Sequence, residues 1–336
     1  MRPGRGCRIV LGSLLASALV VGLLWGSPES DWRAWGTVPL GLDLYRPIPV
    51  RNPLTSEKVA LGKRLFFDPL LSKDRTLSCA SCHEPGRGFT DGKALSVGVF
   101  GRQGTRSVPT LVNRVYGKSF FWDGRVSTLE EQVLQPILNP LEMALELREA
   151  ESRLADHAEY SAAFGRIFGR KVAIRDVSHA LSSYVRTILS GNSPYDRYLN
   201  GEREALSEDA RKGLKLFQGK ARCTRCHIGP NLTDEDFHNT GVAWQGGRLQ
   251  DEGRFQISGR IEDKGAFKTP TLREISITAP YMHDGTLSSL EDVIEFYKRG
   301  GNANLQLDRR MRPLNLTEPE ETHLVAFLQS LAGSAQ

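Results

Sequence analysis

The chain has 336 residues, enough for about two ordinary domains, and its 40% hydrophobic and 25% charged content is normal for a soluble globular protein. Its formal charge of +5 falls to +2 once Arg2, Arg5 and Arg8 of an acid-free leader are set aside. That leaves no basic footprint for nucleic acid, so no nucleic-acid partner is expected. The leader is the first element. Its three arginines precede an apolar run from Ile9 to Trp25, the pattern of a secretory signal or an N-terminal anchor. Ser27-Pro28-Glu29-Ser30 is not a clean small-x-small cleavage site. Two readings stand: residues 1–28 are removed, or residues 9–25 hold the protein in the membrane. Both send the rest of the chain across the inner membrane, to the periplasm.

Beyond the leader the elements recur. Ser56-Glu57, Gly62 and Leu65-Phe66 lead into Cys79-Ala80-Ser81-Cys82-His83. Pro109-Thr110-Leu111 stands 14 positions before Asp123-Gly124, and Leu129-Glu130-Glu131 follows. Val177, Ala180, Leu181, Tyr184, Val185 and Ile188 keep helical spacing and predict an amphipathic helix. Asn192-Ser193-Pro194 and the polar stretch to Ser207 read as a linker. The series then restarts with Ser207-Glu208, Gly213 and Leu216-Phe217, and reaches Cys223-Thr224-Arg225-Cys226-His227. Pro270-Thr271-Leu272 again stands 14 positions before Asp284-Gly285, followed by Leu290-Glu291-Asp292. Leu287, Leu290, Ile294 and Tyr297 predict a further helix. The chain is two copies of one unit. The expected fold is mainly α with long loops such as 228–268, and with domains over 45–200 and 205–332.

Both Cys-x-x-Cys-His runs fit the c-type haem attachment pattern. Two thiols in one turn can form thioethers to the two vinyl groups of one haem, and the adjacent histidine then lies under the iron. A zinc site would want four ligands in one place, but these lie in separate copies. Cys79, Cys82 and His83 are therefore expected to hold one haem c, and Cys223, Cys226 and His227 another. Each copy becomes a cytochrome c-like domain, and a large apolar cofactor accounts for the long irregular loops. The repeat pairs Trp122 with His283 and Pro136 with Tyr297, each of the latter two lying 13 residues beyond its aspartate. A phenolate can ligate haem iron and a proline cannot, so the second copy can close its distal side while the first cannot by this route. On the residues alone, Tyr297 is equally a half-buried core tyrosine and Glu142 a solvated acid. His157, His179, His238 and His323 read as structural or solvated, and His283 is not assigned as a ligand.

The chain resembles the bacterial dihaem cytochrome c peroxidase family, and within it the MauG-like subgroup. The resemblance covers roughly residues 40–332. It rests on both haem motifs, on Phe121-Trp122-Asp123-Gly124-Arg125, on Asn139-Pro140-Leu141-Glu142-Met143 and on Thr278-Ala279-Pro280-Tyr281-Met282-His283-Asp284-Gly285. It implies that Glu142 is the distal acid-base carboxylate of the peroxidatic haem, with Gln132 the amide beside it and Pro136 nearest the open iron face. It further implies that Trp122 lies between the haems and that Tyr297 is the distal ligand of the second. Thr278 and Pro280 match backbone ligands of an interdomain calcium ion.

The departures matter as much. Val99 stands where conventional members carry a loop histidine, and no histidine lies between His83 and His157. Ser107 replaces a calcium-binding asparagine. Ala221 replaces a surface tryptophan of the subgroup, so the route to a partner differs; Trp244 is an alternative relay. The expected function is a hydrogen-peroxide-dependent dihaem oxidoreductase drawing electrons from a periplasmic redox protein or protein substrate. A conventional cytochrome c peroxidase fed by a small cytochrome or cupredoxin is the alternative. A dihaem electron carrier is the reading outside enzymes, but it would have no use for an open iron site equipped with Glu142.

Overall fold

The computed structural model describes residues 36–333; the leader, with its apolar run, lies outside them. Among the described residues no helix is long and apolar enough to cross a membrane. In chain order the α-helices are α1 Ser56–Phe67, α2 Cys79–Cys82, α3 Leu129–Gln132, α4 Gln135–Leu138, α5 Leu147–Asp156, α6 Ala158–Phe168, α7 Ile174–Val185, α8 Pro194–Leu199, α9 Glu208–Gln218, α10 Phe255–Ser258, α11 Leu290–Lys298 and α12 Glu318–Gln329. Four two-residue strands make two small antiparallel pairs: β1 Phe237–His238 with β4 Phe267–Lys268, and β2 Trp244–Gln245 with β3 Arg248–Leu249.

Each copy is built on one crossing of two helices. Thr55 caps α1 by accepting from the Lys58 amide, and Ser207 caps α9 by accepting from the Ala210 amide. In the first copy α1 crosses α7 at Gly62; in the second α9 crosses α12 at Gly213. A Cβ on Gly62 would lie 1.9 Å from the Ala180 carbonyl oxygen, and one on Gly213 would lie 1.9 Å from the His323 carbonyl oxygen. The two glycines of the repeat thus mark the same contact twice. One apolar core gathers residues from Leu61 to Ile188 and a second from Leu206 to Leu331. The fold is mainly α, as two cytochrome c-like domains.

Several expectations shift in detail. The helix read over 177–188 ends at Val185, and its last residues close as a tighter turn, with the Thr187 amide donating to the Tyr184 carbonyl. Leu287 lies before α11, in a bridge with Tyr281. The polar stretch read as a linker is packed only at its start. Pro194 begins α8, Ser193 and Asp196 cap it reciprocally, and Asp196 pairs with Arg273 at 2.5 Å with both side chains buried. Leu199 to Glu204 are exposed, so the rest of the stretch keeps the solvated polarity of a connecting segment.

The copies meet through reciprocal contacts. Each carries a tight hairpin in which Phe120 bridges Val126 or Tyr281 bridges Leu287. Gly124 abuts Phe237 of the second copy, and Gly285 abuts Ala94 of the first. Ser107 and Lys268 stand two residues before the repeated prolines. The Ser107 amide donates to the His283 carbonyl at 2.7 Å, and the Lys268 amide donates to the Trp122 carbonyl at 2.9 Å. Buried charge joins the same seam: Glu235 pairs with Arg114 at 2.9 Å and Lys268 at 3.5 Å, while Arg106 bridges Asp123 and Asp251.

Candidate active site

The first attachment motif forms one helical turn. Ser78 and Ser81 cap it reciprocally, and the His83 amide closes it on the Cys79 carbonyl at 2.9 Å. The second motif closes the same way, His227 onto Cys223 at 2.9 Å. Each imidazole is then held at Nδ1, His83 by the Phe89 carbonyl and His227 by the Leu232 carbonyl, both at 2.9 Å. A carbonyl partner fixes the proton on Nδ1 and leaves Nε2 as the coordinating atom. Burial lowers both pKa values, which favours the neutral ring a ligand must be. The four cysteines form no disulfides, and burial pushes the Cys79 and Cys223 thiols up to about 12. Paired thiols in one turn beside an oriented neutral imidazole fit a covalently held haem at both motifs.

A cavity of about 250 Å³ opens over the first motif. Cys79, Cys82 and His83 line it together with Trp122, Gln132, Pro136, Glu142 and Ser107, and the second copy closes it with Lys268, Pro270 and Thr271. Residues far apart in sequence converge here because the counterpart of α11 is broken in the first copy. The chain makes α3, turns at Val133–Leu134, takes Pro136 into the first turn of α4, and turns again at Asn139-Pro140. Gln132 and Glu142 therefore face one space. Thr128 caps α3, and Glu130 anchors it through Arg186 at 2.7 and 2.8 Å and Asn52 at 2.7 Å.

Asn139 Nδ2 donates to Glu142 Oε1 at 2.6 Å. Burial raises the Glu142 pKa against the opposing pull of Asn139 and Arg125. The sequence reading had Asn139 only as part of a motif, and Arg125 likewise. Their spacing from Glu142 gives no sign that both act on its carboxyl.

The 96–104 loop closes on itself and on this turn. Gly98 and Arg102 join through their backbones at 2.7 Å, the Val99 amide donates to the Glu142 carbonyl at 2.8 Å, and Arg102 donates to the Pro140 carbonyl at 2.9 Å. Val99 itself is buried. Trp122 donates from Nε1 to the Ser107 carbonyl at 2.8 Å. The Thr278 hydroxyl turns back on the Ile275 carbonyl at 3.4 Å, and Pro280 follows Ala279 through a cis bond.

In the second copy Tyr297 lies half-buried near the end of α11, on the side of Cys223 and Cys226. Burial raises its pKa. Only a cation such as iron would stabilise the phenolate there. Cys226, Asp234 and His238 come close enough to suggest a metal. His238, however, sits between Asp234 at 2.9 Å and Asp308 at 2.6 Å. Burial opposes its protonation, but carboxylates at both ring nitrogens raise its pKa, which suits an ion-paired imidazolium rather than a ligand. His283 stacks on Phe267 with ring centroids 3.7 Å apart, and burial lowers its pKa to about 4. Trp244 begins β2, and its Nε1 has no hydrogen-bond partner among the described residues.

Residues 56–204 match the family description "Di-haem cytochrome c peroxidase". The chain is 41% identical over 287 residues to the methylamine utilization protein MauG of Methylorubrum extorquens, covering 85% of this chain and 81% of that one. It is 36% identical over 290 residues to the cytochrome c551 peroxidase of Nitrosomonas europaea, covering 86% and 84%. The crystal structure of a MauG-like protein associated with microbial copper homeostasis superposes with a TM-score of 0.81 at 34% identity, over 87% of this chain and 95% of that one. With paired attachment motifs, each histidine fixed through Nδ1 and a carboxyl-lined cavity over the first, the chain belongs to the dihaem cytochrome c peroxidase family and is a dihaem peroxidase.

Proposed function

We propose that the chain uses hydrogen peroxide at the first haem in the manner of the MauG-like subgroup, reacting from the fully oxidised state. The observation that carries this reading is the 96–104 loop. The residue in the gating position is Val99, a buried aliphatic side chain locked to the Glu142 turn. It offers no ligand atom, so nothing in that loop would have to be displaced by prior reduction.

Bound haem supplies the iron at which peroxide is cleaved and a store for its two oxidising equivalents. The chain's own groups do the rest. Glu142 takes the proton from the inner peroxide oxygen and returns it to the outer one, which leaves as water. Gln132 orients the peroxide by hydrogen bonding. Pro136, which carries no ligand atom, would leave a bound iron open to peroxide. Trp122 would stand between two bound haems, and Tyr297 would offer the second an anionic oxygen ligand, which lowers an iron's potential relative to a thioether. Two electrons and two protons complete the conversion of peroxide to two waters. The electrons come from a periplasmic redox protein or from a protein substrate that is itself oxidised.

In this reading residues 45–200 form the peroxidatic domain and 205–332 the electron-transfer domain. A calcium ion at their junction would take the carbonyls of Thr278 and Pro280. Ser107 would add its hydroxyl, since its carbonyl already accepts from Trp122. Metal analysis of the purified holoprotein is expected to return one calcium per chain.

Stopped-flow absorbance on the untreated diferric protein, with and without a one-electron pre-reduction, tests the main claim. Reaction within the mixing time without reduction is expected. Inertness that disappears after reduction would show a gate and favour the conventional peroxidase.

A further inference from the structure

The surface around the second attachment motif has a charge pattern that the first lacks. Arg222 precedes Cys223, Arg225 stands between the cysteines, and Ile228 follows His227; the matching residues of the first copy are Ser78, Ser81 and Glu84. The Arg222 guanidinium donates to the Pro313 carbonyl at 3.2 Å, which draws the 309–313 segment against the motif. At the head of that segment Asp308 binds His238, which neighbours Cys226. The segment therefore runs along the motif and adds Arg309, Arg310 and Arg312. Arg310 is paired with Asp308 and Lys220 with Glu320. Arg222, Arg225, Arg309 and Arg312 form no ion pair among the described residues, and the last three are exposed. Ile228 beside them is 49% exposed.

Like charges gathered on one face without carboxylate partners repel one another. We infer that this face is the docking surface for a small acidic redox protein, with Ile228 at its apolar centre and the arginines as its rim. The inference rests on the proposed function, in which a protein supplies electrons through the second haem. A charged rim around a small apolar contact suits a fast, transient complex steered by electrostatics. It also answers the loss of the surface tryptophan at Ala221, which is buried here. An anionic membrane would match the charge, but the arginines frame the one motif through which electrons pass, and that favours a redox protein.

The test titrates the holoprotein calorimetrically with an acidic and with a basic small cytochrome c, at low and at high salt, without peroxide. A third arm uses phosphatidylcholine vesicles containing roughly one-third phosphatidylglycerol. The acidic cytochrome is expected to bind more tightly, with affinity falling roughly tenfold or more as salt rises. The double variant Arg309→Glu/Arg312→Glu should lose about as much at low salt, and Arg225→Ser a smaller part. Unaltered haem spectra check that both variants fold.

Oxidation of the reduced acidic cytochrome by peroxide should slow in parallel in the double variant, while turnover with a small uncharged donor holds. Equal binding of the two cytochromes, or indifference to the double substitution, overturns the inference. So does binding to the vesicles that is lost in the same variant when the acidic cytochrome does not bind. If the uncharged donor is not turned over at all, it is the peroxidase reading that falls, and the titration still decides the docking surface.

Discussion

Glu142 is held by one oxygen. Oε1 accepts from Asn139, and Oε2 has no hydrogen-bond partner among the described residues, which leaves it to meet peroxide. A carboxyl that must accept a proton works only when ionised, and burial has raised its pKa. The rate of reaction with peroxide should therefore fall as pH drops through that raised value, beginning above the range of an ordinary glutamate. Glu142→Gln should keep both haem spectra, lower the rate roughly 100-fold or more and abolish that acidic limb; stopped-flow rates across pH decide it.

Tyr297→Phe should open the second haem and turn its low-spin ferric signal high-spin, read by electron paramagnetic resonance. A surviving low-spin signal would transfer the ligand role to another side chain. At this scale the grouping of Cys79 and Cys82 with His83, and of Cys223 and Cys226 with His227, was legible, because two thiols and an imidazole in fixed register have one strong chemical use. Asn139 and Arg125 were not legible as partners of Glu142, since hydrogen bonding across a turn leaves no periodic trace.

The helix crossings show what a repeat reveals and what it hides. Gly62 and Gly213 recur at the same place in each copy because each lets a helix backbone approach within contact of another. Replacing either by valine should destabilise its domain by about 2–3 kcal/mol through overpacking, read as a lowered midpoint of chemical denaturation. A matching cost at both positions is expected.

The anchor of α3 adds a pH term. Burial alone would raise the Glu130 pKa, but Arg186 and Asn52 overcome it and bring it to about 2 from 4.5. A depressed carboxylate stabilises the fold above its unfolded pKa, and that stability is lost as pH falls from about 4.5 toward 2. Thermal scans should show a steeper decline over this window for the native protein than for Glu130→Gln. Pro136 agrees with the start of α4, since a proline is tolerated in a helix's first turn. The packed start of the stretch from Asn192 to Ser207 was not legible: Ser193 and Asp196 look solvated in sequence, and only Arg273, far along the chain, shows that Asp196 is paired and buried.

Over the whole molecule, two covalent haems per chain follow from the two motifs, and a pyridine haemochrome assay on periplasmically expressed protein should return that ratio. A value of one would remove the relay between centres. The duplication was legible, and so was its asymmetry at Pro136 and Tyr297. The way the halves face each other was not, because it depends on backbone groups. Ser107 reaches the His283 carbonyl and Lys268 reaches the Trp122 carbonyl, each copy offering the same edge to the other. That is the geometry of an isologous interface, the self-complementary contact of a two-fold dimer. The molecule has the form of a homodimer whose subunits have been joined end to end. Fusion frees the halves from having to stay identical, so one carries Pro136 where the other carries Tyr297. The seam they share would still hold the two irons at the fixed separation that an ancestral symmetric pair had already set.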